Sequence, residues 1–310
     1  MQPRLSVYLP TYRSTTPENW RFIGRRAELL EQVGVDRIVV PDHVVFGERL
    51  ADYGRPEVGG RRGGVQPTGP DGAWLEALTT LSFVAARTSR VRLGTAVLIA
   101  ALRRPVVLAK TVATLDALAE GRVDLGVGVG WQREEYESAG IDFRQRGVLL
   151  DETLEICRRL WTTPGVVSYQ SPRVSFEGIH MMPKPAQRGG VPIWVSGTVN
   201  ERVARRLALY GQGWIPWGDD ASDLKEALPR MRDLVVHNGR DPDDLMVVGE
   251  IRTGRPVRGQ IDLDVAVAEV PLLVSLGVTD FQCLIPVPDD HDAAGELLEQ
   301  LVAAFQGACS

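Results

Sequence analysis

Short apolar runs, many of them rich in valine, isoleucine and leucine, alternate along this chain with longer segments in which apolar residues recur at helical spacing. The short runs predict β-strands and the longer segments predict α-helices. The predicted strands are Leu5–Pro10, Asp36–Val40, Val91–Ile99, Val123–Val129, Pro192–Ser196, Gly213–Trp217, Leu245–Ile251 and Asp280–Ile285. The predicted helices are Glu18–Val33, Ala73–Arg87, Pro105–Ala119, Arg146–Trp161, Asn200–Leu209, Asp223–Asn238, Asp264–Leu276 and Ala293–Phe305.

Eight strands in strict alternation with eight helices predict an α/β protein of the (β/α)8 barrel (TIM barrel) class. A doubly wound sheet also alternates strand and helix, but it rarely reaches eight units without a domain break. The 310 residues contain no linker, repeat or low-complexity tract that would mark such a break. We therefore expect residues 1–310 to form a single barrel domain whose active site lies at the carboxyl ends of its strands.

Prolines and glycines place several of these boundaries. Pro17 and Pro105 are expected in the first turn of a helix, where the missing N–H costs little. Gly34, Gly121 and Gly277 follow predicted helix ends, where a left-handed residue is usual.

Two stretches interrupt the alternation. Residues 44–72 contain eight glycines and no periodicity, and they follow the second strand, so this long loop is expected on the active-site face. Residues 164–190 hold two strand-like pieces around Ser171 and Pro172, which predict a hairpin insertion before the fifth strand. Two roles are open for this hairpin. It is either decoration or an oligomer contact, or it is part of the substrate site.

Composition excludes several classes of function. The net charge of −5 and a pI near 5.5 argue against nucleic acid or an anionic membrane as a partner. The chain has no long apolar run, and we expect no signal peptide, because the first strand-like segment starts at Leu5. Cys157, Cys283 and Cys309 are far apart and odd in number, which favours free thiols and a cytoplasmic location over disulfides or a zinc site. We expect no metal centre.

Asp42 and His43 follow the second strand and form the sharpest candidate pair. A carboxylate and an imidazole at the end of a barrel strand can position and exchange protons near neutral pH. The plainer alternative is that Asp42 caps a turn and His43 binds backbone. His180, His237 and His291 are expected to be solvated or structural, and the chain has no HExxH or GxSxG motif.

Glycines 126, 128 and 130 fall on one face of the fourth strand, which implies that either backbone or a flat ligand approaches closely there. A dinucleotide fingerprint is the competing interpretation, and Asp151 lies at a suitable distance downstream. The spacing is GxGxG rather than GxGxxG, however, and Trp131 is a poor start for a phosphate-binding helix.

Ser196, Gly197 and Thr198 form a small-residue turn ahead of a predicted helix. The free N–H groups of such a turn can bind phosphate. On local sequence alone a plain helix cap by Thr198 or Asn200 is favoured.

Taken together, these segments resemble the bacterial-luciferase-like superfamily of flavin- and deazaflavin-dependent oxidoreductases. The most characteristic stretch is LGTAVLIAALRRPVVLAKTVATLDALAEGRVDLGVGVGW, and further matches are VVPDH, the RLW at 159–161, VPIWVSG and YGQGWIPW. The resemblance covers most of residues 5–217 and becomes vague beyond 218.

The resemblance implies a barrel that binds an isoalloxazine-type ring at its carboxyl mouth. It implies a bulge with a non-proline cis peptide at Ala96–Val97 behind the ring, and an approach of the Val129–Gly130 backbone to the ring or ribityl chain. It also implies that Gly197 and Thr198 hold a phosphate. The residues expected at the cofactor are Asp42, Ala96, Val97, Ile99, Val129, Gly130, Trp131, Ser196, Gly197 and Thr198.

The Asp-His pair resembles the deazaflavin branch, which uses coenzyme F420, more than the FMN monooxygenases. In the similar deazaflavin-dependent sugar-phosphate dehydrogenases an acid follows the last glycine of the fourth strand. Here that position is Trp131, which counts against a sugar-phosphate substrate. Glu134, Glu135 and Tyr136 follow and could face the site, although acids ahead of a helix also fit a plain charge preference, which is slightly favoured.

The resulting hypothesis is hydride transfer between F420 and a small organic substrate held under the 44–72 loop. His43 is expected to move the accompanying proton, with Asp42 orienting the imidazole or the ring. One alternative is an FMN-dependent monooxygenase served by a flavin reductase, and a second is a non-catalytic cofactor-binding protein. A weaker third is a sugar-processing carboxylate pair of Asp42 and Glu134. Similar proteins imply a homodimer.

Overall fold

Eight parallel strands close into a barrel in the computed structural model, which describes residues 2–253 and 261–309. Each strand pairs with the next one along the chain, and the eighth pairs with the first. The (β/α)8 barrel is therefore confirmed. The strands are β1 (Arg4–Tyr8), β2 (Arg37–Val40), β3 (Arg92–Thr95), β4 (Val123–Val127), β5 (Ile193–Gly197), β6 (Gly211–Pro216), β7 (Met246–Ile251) and β8 (Asp280–Cys283).

Helices surround the barrel and bury one face against it. They are α1 (Arg21–Gln32), α2 (Ala77–Ala85), α3 (Pro105–Leu118), α4 (Arg133–Ser138), α5 (Arg146–Thr162), α6 (Glu201–Tyr210), α7 (Asp219–Ser222), α8 (Leu224–His237), α9 (Leu263–Val267), α10 (Val270–Ser275) and α11 (His291–Ala308). The apolar core fills the space between the two layers, where Ile38, Leu108, Leu154 and Leu298 are fully buried. Among the described residues no helix is long and apolar enough to cross a membrane.

Several helix boundaries predicted from proline and glycine are confirmed. Pro105 opens α3 in its first turn, and Gly34, Gly121 and Gly277 all adopt positive φ after helices. The prediction for Pro17 is wrong, because α1 begins only at Arg21.

Two further helices differ from the prediction in where they begin or divide. The helix predicted from Ala73 starts at Ala77, because residues 73–74 pair with Tyr12–Arg13 in a small antiparallel sheet and Glu76 caps the helix by accepting from the N–H of Thr79. The helix predicted over 264–276 is two short helices, and the second has a proline in its first turn.

Both segments that interrupt the alternation, 44–72 and 164–190, contain regular secondary structure. Strands Val167–Gln170 and Ser175–Ile179 form the predicted antiparallel hairpin, which packs against α5 through a 3.3 Å contact between Tyr169 Oη and Glu155. The 44–72 loop contains two 3₁₀ turns, Leu50–Gly54 and Pro56–Val58.

The amino-terminal end of the barrel is filled by a buried ion network. Arg37 binds Asp124 and Asp280 at 2.8 and 3.0 Å, and Arg92 binds Asp124 at 2.7 Å. Burial alone would raise the pKa of Asp124, but the charges and hydrogen bonds of the two arginines outweigh it and hold that pKa below its ordinary value. This end of the barrel is therefore structural, and the opposite end is free for chemistry.

Candidate active site at the carboxyl mouth of the barrel

His43 lies just beyond the end of β2 and is held by a buried carboxylate. Its Nδ1 is 3.2 Å from Oε2 of Glu135, which is 1% exposed. The other carboxylate oxygen accepts a 2.8 Å hydrogen bond from the N–H of Val44, so the carboxylate itself is fixed. An ionised carboxylate can only accept, so this contact selects the tautomer with the proton on Nδ1, in which Nε2 is left to exchange a proton.

Glu135 corrects two sequence-based expectations. It lies in α4 directly after β4, and it faces the site rather than simply favouring the amino end of that helix. Glu135 also makes the contact with the imidazole that was one of the two roles expected of Asp42. The other role, orientation of the ring by Asp42, stays a prediction. The third acid of interest, Glu134, points elsewhere and binds Arg49 at 2.6 Å.

Asp42 is buried but is committed to other partners. Its carboxylate accepts from Nη2 of Arg103 at 2.8 Å and from the N–H of Ile99 at 2.9 Å. Burial by itself lowers the pKa of Arg103, but the bonds to Asp42 and Glu76 outweigh it and raise that pKa above its ordinary value. Asp42 therefore fixes the backbone beyond β3. Asp42 and Glu134, the carboxylates of the sugar-processing alternative, are bound to different arginines, Arg103 and Arg49.

The glycines at 126, 128 and 130 are all explained by the protein itself, since Gly130 has φ +67 and a Cβ there would lie 3.1 Å from Ile99. A Cβ on Gly126 would lie 1.9 Å from the carbonyl oxygen of Thr95, and one on Gly128 would lie 2.7 Å from Cγ2 of Val97. The peptide bond between Ala96 and Val97 is cis, as the family resemblance implied. Close contact with the chain beyond β3 therefore requires glycine on this face of β4.

Aromatic side chains surround His43. Its ring lies 4.5 Å from the ring of Phe46, 5.0 Å from that of Trp74 and 6.1 Å from that of Trp131. Tyr12 stacks on Trp74 with 4.4 Å between ring centroids. The imidazole is thus partly shielded from water.

The 44–72 loop lies over this mouth and is pinned on both sides. On one side Gln132 accepts from the N–H of Gly47 at 2.7 Å. On the other side Arg61 forms a bidentate pair with Glu250 at the end of β7, with distances of 3.1 and 2.8 Å. Trp217, after β6, donates to the carbonyl oxygens of residues 59 and 60.

The turn after β5 forms the capped amino end of α6. Asn200 caps α6 by accepting from the N–H of Val203 at 3.1 Å, which agrees with the favoured local interpretation. The N–H of Val199 donates to Asp220 at 2.6 Å. Gly197, at φ +158, leaves room for Val203, whose Cγ2 would be 2.6 Å from a Cβ there.

Three buried polar atoms at or beside the mouth have no hydrogen-bond partner among the described residues. They are the indole N–H of Trp131, the hydroxyl of Thr11 after β1, and Nε of Arg146. The Arg146 guanidinium lies 3.9 Å from a Cβ built on Gly59, which itself approaches the carbonyl oxygen of Gly130. Unpaired buried donors are rare, and a ligand with acceptor oxygens would satisfy them. Trp131, Thr11 and Arg146 are therefore available to a ligand that carries acceptor oxygens.

A closed parallel barrel with a histidine–carboxylate pair at its carboxyl mouth is the architecture of a barrel enzyme. Residues 4–253 match the family described as luciferase-like monooxygenase, and the chain belongs to that family. It is thereby a member of the luciferase-like superfamily of oxidoreductases and monooxygenases.

The chain is also similar to individual relatives in sequence and to solved structures in fold. An uncharacterized protein of Mycobacterium tuberculosis is 31% identical over 282 residues, covering 89% of this chain and 91% of the relative. The fold is similar to that of an F420-dependent secondary alcohol dehydrogenase, with a TM-score of 0.75, 17% identity, and coverage of 98% of this chain and 99% of the other. It is similar also to a long-chain alkane monooxygenase, with a TM-score of 0.72, 16% identity, and coverage of 99% and 92%.

Proposed function

We propose that this protein is an F420-dependent oxidoreductase in which His43 exchanges the proton that accompanies hydride transfer to or from a small organic substrate. The observation that carries the proposal is the buried contact between His43 and Glu135 at the carboxyl mouth of the barrel. A histidine whose Nδ1 is fixed by a carboxylate presents Nε2 in one tautomer and one orientation. That is the arrangement a proton donor or acceptor needs.

The residues proposed to hold the cofactor lie on the same side of the mouth or at its rim. When bound, reduced F420 supplies a hydride from a ring carbon and reacts poorly with oxygen. Trp131 and Arg146 offer it unpaired donors, and the cis peptide segment beyond β3 forms a wall that Asp42 holds in place. The proposed set is Asp42, Ala96, Val97, Ile99, Val129, Gly130, Trp131, Ser196, Gly197 and Thr198, with Arg146 added.

The 44–72 loop is proposed to exclude water during the reaction. Arg61, Gly47 and the carbonyls of residues 59 and 60 tie it to three different parts of the barrel rim. A covered site strengthens the electrostatic effect of Glu135 on the imidazole, because less water screens it.

An FMN-dependent monooxygenase served by a separate flavin reductase is the second candidate. The description of the matched family and the fold similarity to the alkane monooxygenase favour it. The Asp-His pair after β2 supports the deazaflavin instead, on the family resemblance.

Turnover with and without oxygen separates the two candidates. The protein is incubated with candidate substrates and either reduced F420 under nitrogen or FMN with a flavin reductase in air. The proposal expects cofactor oxidation under nitrogen that requires both F420 and substrate. Turnover that requires FMN and oxygen would replace the proposal with the monooxygenase function.

A further inference from the structure

The side chains around His43 form one continuous aromatic surface. From Tyr12 it runs through Trp74 and Phe46 to His43, and from His43 through Trp131 to Tyr53 and Trp217. Neighbouring ring centroids along this path are 4.4 to 6.1 Å apart. Trp131 belongs to the proposed cofactor set, whereas Phe46 and Trp74 do not. These two come from the 44–72 loop and from the short strand after it.

Four carboxylates at the same mouth are each already bound by a partner, and Arg146, whose Nε has no hydrogen-bond partner among the described residues, belongs to the proposed cofactor set. Asp42 is bound by Arg103, Glu134 by Arg49 and Glu250 by Arg61. Glu135 meets His43 and a backbone N–H. None of these cations is left to receive a carboxylate or phosphate of a substrate that approaches His43, and the buried Glu135 would repel one.

The tyrosines of the surface are also uncharged. Burial raises the pKa of Tyr12 and of Tyr53 above the ordinary phenol value. The neighbourhood of His43 is therefore apolar and rich in ring faces. Transfer of a charged substrate group into it would lose hydration without gaining a partner.

We infer that the substrate is an uncharged molecule with an aromatic or otherwise apolar body, presenting an alcohol or the corresponding carbonyl to His43. This inference rests on the proposed function. In the reducing direction the carbonyl carbon accepts a hydride from reduced deazaflavin, and the carbonyl oxygen accepts the Nε2 proton of a doubly protonated His43. The Nε2–H bond breaks and the imidazole is left neutral, with its remaining proton on Nδ1 toward Glu135. A C–H and an O–H bond form, the C=O π bond is lost, and the deazaflavin is left oxidised by two electrons.

Two ketones with the same reacting end test the inference. In 4-phenylbutan-2-one and 4-oxopentanoate a methyl ketone is joined by two methylenes to a phenyl ring or to a carboxylate. Binding of each is measured by calorimetry on protein saturated with oxidised F420, so that no turnover occurs, and the measurement is repeated with FMN and without cofactor. We expect the phenyl ketone to bind at least about tenfold more tightly than the keto acid.

Variants locate the binding. Replacing Trp74 or Phe46 by leucine should weaken binding of the phenyl ketone by about 3- to 10-fold and leave that of the keto acid unchanged. Phe83→Leu is the matched control, since Phe83 lies 47% exposed on α2 and makes no ring contact with this surface. It should leave both affinities unchanged.

Equal binding of the two ketones, tighter binding of the keto acid, binding of neither, or indifference to Trp74→Leu and Phe46→Leu would overturn the inference. Failure of the proposed function is read separately, from which cofactor supports turnover. A tenfold preference for the phenyl ketone on FMN-loaded protein would support the substrate class while removing the F420 assignment.

Discussion

Replacing Glu135 by glutamine tests the proton-exchanging unit with almost no change in volume. The buried carboxylate accepts from Val44 at 2.8 Å and from Nδ1 of His43 at 3.2 Å. In the variant the amide oxygen can keep the shorter bond to Val44, which turns the amide NH₂ toward Nδ1. Two donors cannot face each other, so the imidazole must move its proton to Nε2 or rotate away. A neutral imidazole protonated on Nε2 cannot accept a proton from an alcohol, and the imidazolium that would donate one to a carbonyl has lost the carboxylate that stabilises it.

The size of the effect follows from the bond that is lost. A hydrogen bond to a charged group contributes about 1.5–3 kcal/mol. If the bond between Glu135 and His43 stabilises the transition state of proton transfer by that free energy, kcat should fall by about 10- to 100-fold when the bond is lost. The affinity for the cofactor should change by less than about twofold, because no group proposed to touch it has been altered.

The assay is steady-state turnover under nitrogen together with cofactor binding and the free energy of unfolding. Glu134→Gln is the matched control, being the adjacent residue with the same substitution, and its carboxylate binds Arg49 instead of His43. We expect the control to keep kcat within about twofold. A Glu135→Gln enzyme with normal kcat, or one that loses kcat and cofactor binding in parallel, would refute the reasoning.

Four further outcomes follow from the structure. His43→Ala should reduce kcat by about 10²- to 10⁴-fold with cofactor affinity retained, measured by turnover and equilibrium titration. Arg103→Ala should lower the free energy of unfolding in urea by about 3–5 kcal/mol, because Asp42 is left buried without its cation. Gly126→Ala should yield little folded protein on expression, because the new Cβ has no room beside β3. Since the folded-state pKa of Asp124 is depressed, its stabilisation is complete above about pH 4 and is lost as pH falls further, and urea denaturation should show Asp124→Asn to be less acid-sensitive than the parent.

Controls for these variants come from sites without such contacts. Gly307→Ala lies in α11 with nothing within 4 Å of the new Cβ, so the variant should fold normally. His237→Ala, at the end of α8, should keep full turnover. Normal turnover of His43→Ala, wild-type stability of Arg103→Ala, soluble folded Gly126→Ala or an unchanged acid response of Asp124→Asn would each contradict the corresponding argument.

The barrel could be predicted from sequence because its cause is local. Alternating apolar runs and helical segments are set by side-chain periodicity, and the closed parallel barrel follows from their number and order. The predicted helix boundaries were wrong where contacts between residues far apart in sequence decide them. The start of α2 depends on pairing between residues 73–74 and Tyr12–Arg13, which are far apart in sequence.

Predictions for the site divide in the same way. Asp42 and His43 are candidates from sequence because they follow a strand in a barrel, and family resemblance locates the Ala96–Val97 cis peptide. The sequence position of Glu135 fits an ordinary helix start, and only the fold brings it to His43. Arg103, which holds Asp42, carries no local signal that would reveal its partner.

Competition between the two cofactors tests the central claim most directly. The purified protein is mixed with equimolar F420 and FMN, separated from free cofactor by rapid filtration, and denatured so that the retained molecule can be identified by absorbance and mass. The account predicts that F420 is retained in excess and that Trp131→Phe, which removes the unpaired indole N–H, lowers its retention. Preferential retention of FMN, or of neither cofactor, would contradict it.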